Sequence, residues 1–449
     1  MKNTSVNTTI NQIHKALSER DWEQAAGLVE TLRPPDQADL FSNLSLDEQD
    51  QLLPYLDLED SADILEELEE EEAAKVAVRL KTEQLAHILD EMEPDEAADL
   101  LGDIAPERAA DILARIEEPG EIRPLLTHAD ESAGGLMTSA TVTLYQAMTT
   151  EEAIAHLRVV APGARNVYYL FVVNQDVQLV GVVSLRQIVV AAPDVRIEEI
   201  MDPDVIQVQA DADQEEAARL MSRYDLLALP VVDEKNQLLG IITHDDLVEV
   251  LEEEATEDIY RLGGVPEEYP PSAPISAALR ARLPWLMLNL GTALVSAAVL
   301  SLFEGTIARA AVLAAFFPVV AGVSGSAGTQ TLTVTVRKLA LGELNPRDGV
   351  RALMQEAFIG LFNGLAVGSL VTLIALTWKG TPMLGAVAGL ATLLNMVGAG
   401  IAGALTPVMM QFLRFDPALA SPILVTTITD TCGYFIYLGL ATLVLGILI

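Results

Sequence analysis

Apolar positions along the chain follow two different patterns. Beyond residue 280 they run almost unbroken through five stretches, roughly 283 to 303, 310 to 336, 352 to 377, 383 to 413 and 421 to 448. About 20 mostly apolar residues cross the hydrocarbon of a bilayer, so each stretch predicts a membrane-spanning helix. Ahead of them, apolar residues recur three or four apart within short acidic segments, which predicts amphipathic helices. PDEAADLLGDIA (94 to 105) and PERAADILARIE (106 to 117) are nearly one twelve-residue unit repeated, and ADILEEL (62 to 68) and AHILDEM (86 to 92) echo it. Such units predict a stacked superhelix over residues 10 to 130, each helix burying the Leu and Ile of its neighbour.

From Leu136 to about Glu254 the pattern turns to short β-rich runs between helices, and it occurs twice. LMTSATVTL, TTEEAIAHLR and YYLFVVNQDVQLVGVVSLRQIVV are answered by IMDPDVIQV, DQEEAARLMSRYD and LLALPVVDEKNQLLGIITHDDLVEV. Each copy predicts a turn, a short strand, an amphipathic helix, two strands about a turn and a closing helix, with Gly181 and Gly240 at the turns. This repeat resembles a tandem pair of CBS domains, small α+β modules that pair and often sense adenine nucleotides. In that family a Ser or Thr followed three residues later by Asp holds the ribose. Thr243 and Asp246 keep the pattern, whereas Ser184 is followed by Gln187, so the resemblance implies ATP or another adenine nucleotide at one site. The same pair also reads as a helix start, with Thr243 as cap and Asp246 in the first turn.

Charge divides the chain in the same place as hydropathy. The net charge is −38, yet the last 169 residues hold eight basic and six acidic side chains, which leaves −40 for the first 280. A region of that sign cannot neutralise phosphates, which excludes nucleic acid as a partner. One cysteine excludes a disulfide framework and a thiolate metal cluster. The first residues lack the apolar run of a signal peptide, so the acidic part is expected in the cytosol. Arg280 and Arg282 before the first span, Arg337, Lys338, Arg347 and Arg351 between the second and third, and Arg414 all predict cytoplasmic ends. Five spans then put the C-terminus outside.

Two acids lie within the spans, Asp430 in TTITDTCGY and Glu356 in RALMQEAFIG. A charge in lipid is costly and marks a polar path or a packing hydrogen bond. The run from Ala321 to Gln330, AGVSGSAGTQ, predicts either close helix packing or loosened backbone lining a cavity. With Asn395, Thr426, Thr427 and Thr429 the membrane part offers hard oxygen ligands and little charge, which suits magnesium, calcium or manganese. One carboxylate per chain makes a poor pore, so a homodimer pairing Asp430 about a two-fold axis is expected. On the cytosolic side Asp246, Glu249, Glu253 and Glu257 share one helical stripe, and no basic residue follows on it before Arg261. Asp95 and Asp99 share another. Such stripes are solvated faces unless a divalent cation neutralises them.

Taken together, FFPVVAGVSGSAGTQTLTVTVR, Glu356, Asn395, DPALASPILVTTITDTCGYFIYLGLAT, DEAADLL, ESAGGLM, the paired CBS modules and DDLVEVLEEEATED resemble the MgtE family of magnesium channels or transporters over nearly the full length. The resemblance implies a homodimeric multidomain membrane protein. It comprises an acidic all-α superhelical domain (1–130), CBS modules (131–199 and 200–257), a long plug helix (243–275, overlapping the second module) and a five-helix transmembrane domain (276–449). It implies Asp430 and the Thr426 carbonyl at a pore ion site, with Ser326, Gln330, Asn395 and Glu356 as lining candidates. It also implies regulatory magnesium at Asp63, Asp95, Asp99, Asp213, Glu215, Asp225, Asp246, Glu249, Glu254, Glu257, Asp258 and Asp416. Ser326 departs from the Asn of many relatives, and Glu249 from a frequent Asp. The expected function is that of a channel or transporter for uptake of Mg2+ across the inner cell membrane, whose lipid surrounds the spans, gated by cytosolic Mg2+. The competing readings are a less selective channel for Co2+, Mn2+ or Ca2+ and a CBS-regulated sensor without a pore. No nucleophile and base constellation points to an enzyme.

Overall fold

The computed structural model describes residues 2–160, 169–265, 275–340, 344, 349–379 and 381–444. Arg347, part of residues 243–275 expected as one helix, and the end of the fifth expected span lie outside the described residues. The chain forms two compact units, Met1–Leu251 and Glu252–Ile449, and the division falls inside the helix His244–Leu262.

In the first unit, helices begin at Trp22, Pro34, Leu46, Leu58, Glu70, Thr82, Pro94 and Pro106, each twelve residues after the last. Proline at the first helical position presets φ and gives up only an N–H that has no intrahelical partner there. Each helix has only seven to ten residues and would be marginal alone. Burial of Leu52, Ile64, Leu85, Ile88, Leu89, Leu101 and Ile112 in one cluster supplies what propensity cannot. Side chains link helices two units apart, so the neighbour in the stack is the second unit along the chain. Gln37 donates to Asp60, Arg79 to Asp50 and Gln49, and the backbone N–H groups of Glu93 and Glu117 to Glu66 and Asp90, all 23 to 30 positions apart. Two twelve-residue units thus make one turn of the superhelix.

The two β-rich copies form two three-stranded sheets. Strands β1 (Thr143–Tyr145), β2 (Tyr169–Val173) and β3 (Leu179–Ser184) make one, and β4 (Val208–Gln209), β5 (Ala228–Val232) and β6 (Leu238–Thr243) the other. In each, the first strand runs parallel to the second and the second antiparallel to the third. Val177 and Asn236, with φ of 61° and 64°, make the tight turns. Gly181 and Gly240 stand instead inside β3 and β6, which corrects their expected place. A Cβ on Gly181 would lie 2.5 Å from Met201 Sδ, and one on Gly240 would lie 2.5 Å from the Thr138 carbonyl oxygen. These glycines admit a segment from the other module: Thr138 bridges to Ile241, and Asp202 to Val182. The start of each module therefore closes the sheet of the other.

The second unit contains the five long apolar helices Ile275–Leu302, Phe317–Ala340, Gly349–Lys379, Pro382–Phe412 and Pro417–Leu443. A short helix, Glu304–Arg309, and a 3-10 turn, Ala311–Phe316, precede the second. The glycine-rich run after Pro318 is regular helix rather than loosened backbone, and Gly328 packs closely on the fifth helix, where a Cβ would lie 2.8 Å from Val425 Cγ1. The third helix carries Gly360, Gly364 and Gly368 on one face, where a Cβ would come within 2.6, 2.9 and 2.6 Å of carbonyl oxygens of the fourth. Small residues let helix backbones approach where lipid supplies no hydrophobic drive.

Candidate metal sites and ion path

In the membrane unit Asp430 sits midway along the fifth helix, half-buried. Thr426, one turn earlier, is exposed; its hydroxyl donates to the Pro422 carbonyl (2.8 Å) and its carbonyl accepts from the Thr429 hydroxyl (3.0 Å). On the second helix Ser326, Thr329, Gln330 and Thr333 form an exposed polar stripe, with Ser326 Oγ donating to the Gly322 carbonyl. Glu356 is placed differently: half-buried, it accepts from Thr331 Oγ1 (3.1 Å) and ties the third helix to the second. Asn395 is fully buried among the second, fourth and fifth helices.

The acids expected in the cytosolic part fall into separate groups. Asp95, in the first turn of Pro94–Gly102, is buried, and its Oδ1 has no hydrogen-bond partner among the described residues. Burial, with Asp246 nearby, pushes its pKa to about 8. Asp246 accepts the Thr243 N–H (2.7 Å) and hydroxyl (3.0 Å), so the capping reading of this pair is realised. Burial still raises Asp246 to about 6. In the adjoining group, burial and then Glu70, Asp130, Asp103 and Glu249 bring Asp99 to about 7. Glu96, which sequence reasoning missed, rises to about 9 through burial and then Asp95, Glu249 and Asp99. Glu67 is raised by burial and then by Asp63 and Glu249; Glu70 by burial and then Asp103 and Glu249. The acidity of these segments was plain in the sequence. Which acids would be forced together was not, because the partners come from helices distant in the chain.

On the second module, Asp213 caps the start of Gln214–Tyr224 by accepting the Glu215 N–H, and Asp225 ends that helix at φ 50°. The ends of such an eleven-residue helix are about 16 Å apart. Glu30, Asp57 and Asp60, not singled out from the sequence, bring one carboxylate oxygen each within 4.8 Å of one another.

In the second unit the end of the connecting helix meets the membrane helices. Leu262 packs against Leu332, Val336, Ala418 and Val425. Arg261 bridges Glu257 and Asp416, while Asp416 Oδ1 caps the fifth helix through the Ala418 N–H (2.7 Å). Asp258 is raised to about 6 by burial and then by Asp416 and Glu254, against the opposing pull of Arg337. Asp95, Glu96, Asp99, Asp246 and Asp258 thus offer carboxylate oxygens that resist ionising, the donor chemistry a hard divalent cation relieves.

Three family models match: the MgtE intracellular N domain over residues 11–131, CBS domains over 133–194 and 197–253, and MgtE, a divalent cation transporter, over 317–440. A magnesium transporter MgtE of Thermus thermophilus is 41% identical over 328 residues, 72% of each chain, and one of Enterococcus faecalis is 38% identical over 73% of this chain and 72% of its own. Two solved structures also match, each with a TM-score of 0.51. The soluble part of a magnesium transporter is 32% identical over 56% of this chain and 99% of its own. The cytosolic domain of the Mg2+ channel MgtE in complex with ATP is 36% identical over 54% and 99%. Since relatives this similar match the greater part of both chains, and since the three family models follow one another along this chain, the chain belongs to the MgtE family of divalent cation transporters.

Proposed function

We propose that this chain carries Mg2+ across the cell membrane and that its cytosolic acids close the path when Mg2+ is plentiful. The observation that carries the reading is the convergence of Asp95, Glu96, Asp99, Asp246 and Glu249, whose mutual repulsion a bound divalent cation removes. Relatives named magnesium transporters support Mg2+ as the ion.

Asp430 and the Thr426 carbonyl meet the ion, with Ser326 and Gln330 lining its path. Mg2+ dehydrates reluctantly, so one carboxylate from each of two copies, reaching through retained waters, suffices. The polar stripe exposed on a single chain would be intolerable in lipid, which favours a homodimer about a central path. The division into acidic domain, CBS modules, plug helix and membrane domain belongs to the same proposal, as do lipid around the outer helix faces, a cytosolic N-terminus and an outward C-terminus.

Regulatory Mg2+ binds Asp63, Asp95, Asp99, Asp246 and Glu249 in the first unit, and Glu254, Glu257, Asp258 and Asp416 in the second. Asp213, Glu215 and Asp225 serve separate positions on their module. Ions close the path by binding the closed arrangement more tightly than the open one. A nucleotide such as ATP, with which the cytosolic domain of one relative was solved, binds here at Thr243 and Asp246.

Uptake of Mg2+ into proteoliposomes tests the path. Asp430→Ala should abolish uptake, and a variant with wild-type uptake would move the path elsewhere. Proteolysis of the full chain tests the gate: cleavage before residue 260 should slow as Mg2+ rises through the millimolar range, and unchanged cleavage would sink it.

A further inference from the structure

Asn395 lies near the middle of the fourth membrane helix and is 1% exposed. Its Nδ2 donates to two backbone carbonyls on different helices, Val320 of the second (3.3 Å) and Thr429 of the fifth (3.1 Å). Its Oδ1 is buried and has no hydrogen-bond partner among the described residues. Gly433 of the fifth helix forms the seat, because a Cβ there would lie 2.4 Å from Nδ2. Three helices therefore meet at one carboxamide, and the carbonyl it holds on the fifth helix belongs to the residue next to Asp430.

Simple filling of space does not account for an amide here. Leucine occupies similar room and would leave no acceptor stranded, whereas a buried unpaired oxygen is unfavourable. What Asn adds is a pair of donors in fixed geometry. Being buried, its carboxamide cannot line the exposed polar face formed by Ser326 and Gln330. We infer that Asn395 is a positioning residue: by clamping the Val320 and Thr429 carbonyls it fixes the rotation and depth of the fifth helix against the second, with Gly433 as its seat. It thereby sets where the Asp430 carboxylate stands in the path. This rests on the reading of Asp430 as the ion site. A small ion with strict octahedral geometry depends on that placement more than a larger, more adaptable one does, so the clamp tunes both affinity and the preference for Mg2+ over Ca2+.

The experiment compares full-length wild type, Asn395→Leu, Gly433→Ala, Asn395→Ser/Gly433→Ala and Asp430→Asn in proteoliposomes. It measures the half-saturating Mg2+ concentration, the maximal uptake rate and inhibition by Ca2+. Interhelical hydrogen bonds in membranes are modest, so Asn395→Leu and Gly433→Ala should each raise the half-saturating concentration about three- to tenfold and weaken discrimination against Ca2+. The double variant, which relieves the clash and keeps one donor, should recover part of the loss seen in Gly433→Ala. A purely structural residue would lower the amount of inserted protein while leaving half-saturation and Ca2+ inhibition of the remainder at wild-type values. That result in both single variants overturns the proposal. Asp430→Asn separates the two readings: wild-type half-saturation there overturns the ion path itself, whereas its loss of uptake beside unaltered Asn395→Leu and Gly433→Ala overturns only the clamp.

Discussion

Asp95 begins a helix, where a carboxylate is ordinarily favoured by the N–H groups around it. Burial and the neighbouring Asp246 outweigh that help and lift its pKa to about 8. Glu96 at about 9, Asp99 at about 7 and Asp246 at about 6 share the condition. The unfolded chain ionises these groups near pH 4, so the folded unit binds more protons and its stability falls as pH rises from about 4 to about 9. In chelator, the full-length protein should therefore melt at a higher temperature at pH 5.5 than at pH 8.5, and Mg2+ should narrow the gap. Trp22 fluorescence, with Trp285 and Trp378 replaced by Phe, reports on the cytosolic helices; an equal or reversed order would contradict the repulsion. At pH 8.5, where Asp95 is largely ionised, Asp95→Asn removes one buried charge and should raise the metal-free melting temperature by about 2–4 °C. It should also shrink the stabilisation Mg2+ gives, and an undiminished Mg2+ shift would exclude Asp95 as a ligand.

Helices in this chain are held by two kinds of contact. The cytosolic ones are short and begin every twelve residues, and each gains its stability from apolar burial and from side chains reaching two units along. The third and fourth membrane helices instead meet through glycine, at Gly360, Gly364 and Gly368, where carbonyl oxygens occupy the space a side chain would need. Gly364→Leu should force them apart and cost about 1–3 kcal/mol or more of stability in detergent. Gly291→Leu on the first helix, where a Cβ meets nothing within 4 Å, is the control and should have little effect. Equal destabilisation by the two variants would mean that the stripe plays no special part.

Across the full chain, a net −40 in the first 280 residues adjoins a nearly neutral membrane unit. Arg261, at the end of the connecting helix, already bridges Glu257 and Asp416. Mg2+ that binds there must compete with it or settle on Glu254 and Asp258 instead, so Arg261→Ala should let the gate close at lower Mg2+. Measured as protease protection across a Mg2+ titration, an unchanged midpoint would show that Arg261 plays no part. The polar stripe on the second helix predicts two copies in the membrane. Native mass spectrometry of the detergent-solubilised protein should find a dimer, and a transport-competent monomer would refute the shared path.

Periodicity and charge placed the five apolar helices, the twelve-residue repeat and the duplicated β-rich modules directly, because burial imposes its spacing on neighbouring residues of one chain. Asp430, set within an apolar stretch, was legible for the same reason. The tertiary structure alone decided that repeat units pair at the second neighbour, that Gly181 and Gly240 make room for the other module, and that Glu96 and Glu70 join the acids singled out in the sequence. It also buried the Asn395 carboxamide among three membrane helices, donating to Val320 and Thr429. Each of these depends on side chains brought together across 20 or more positions, and no local pattern in a sequence records which distant helix supplies the neighbour.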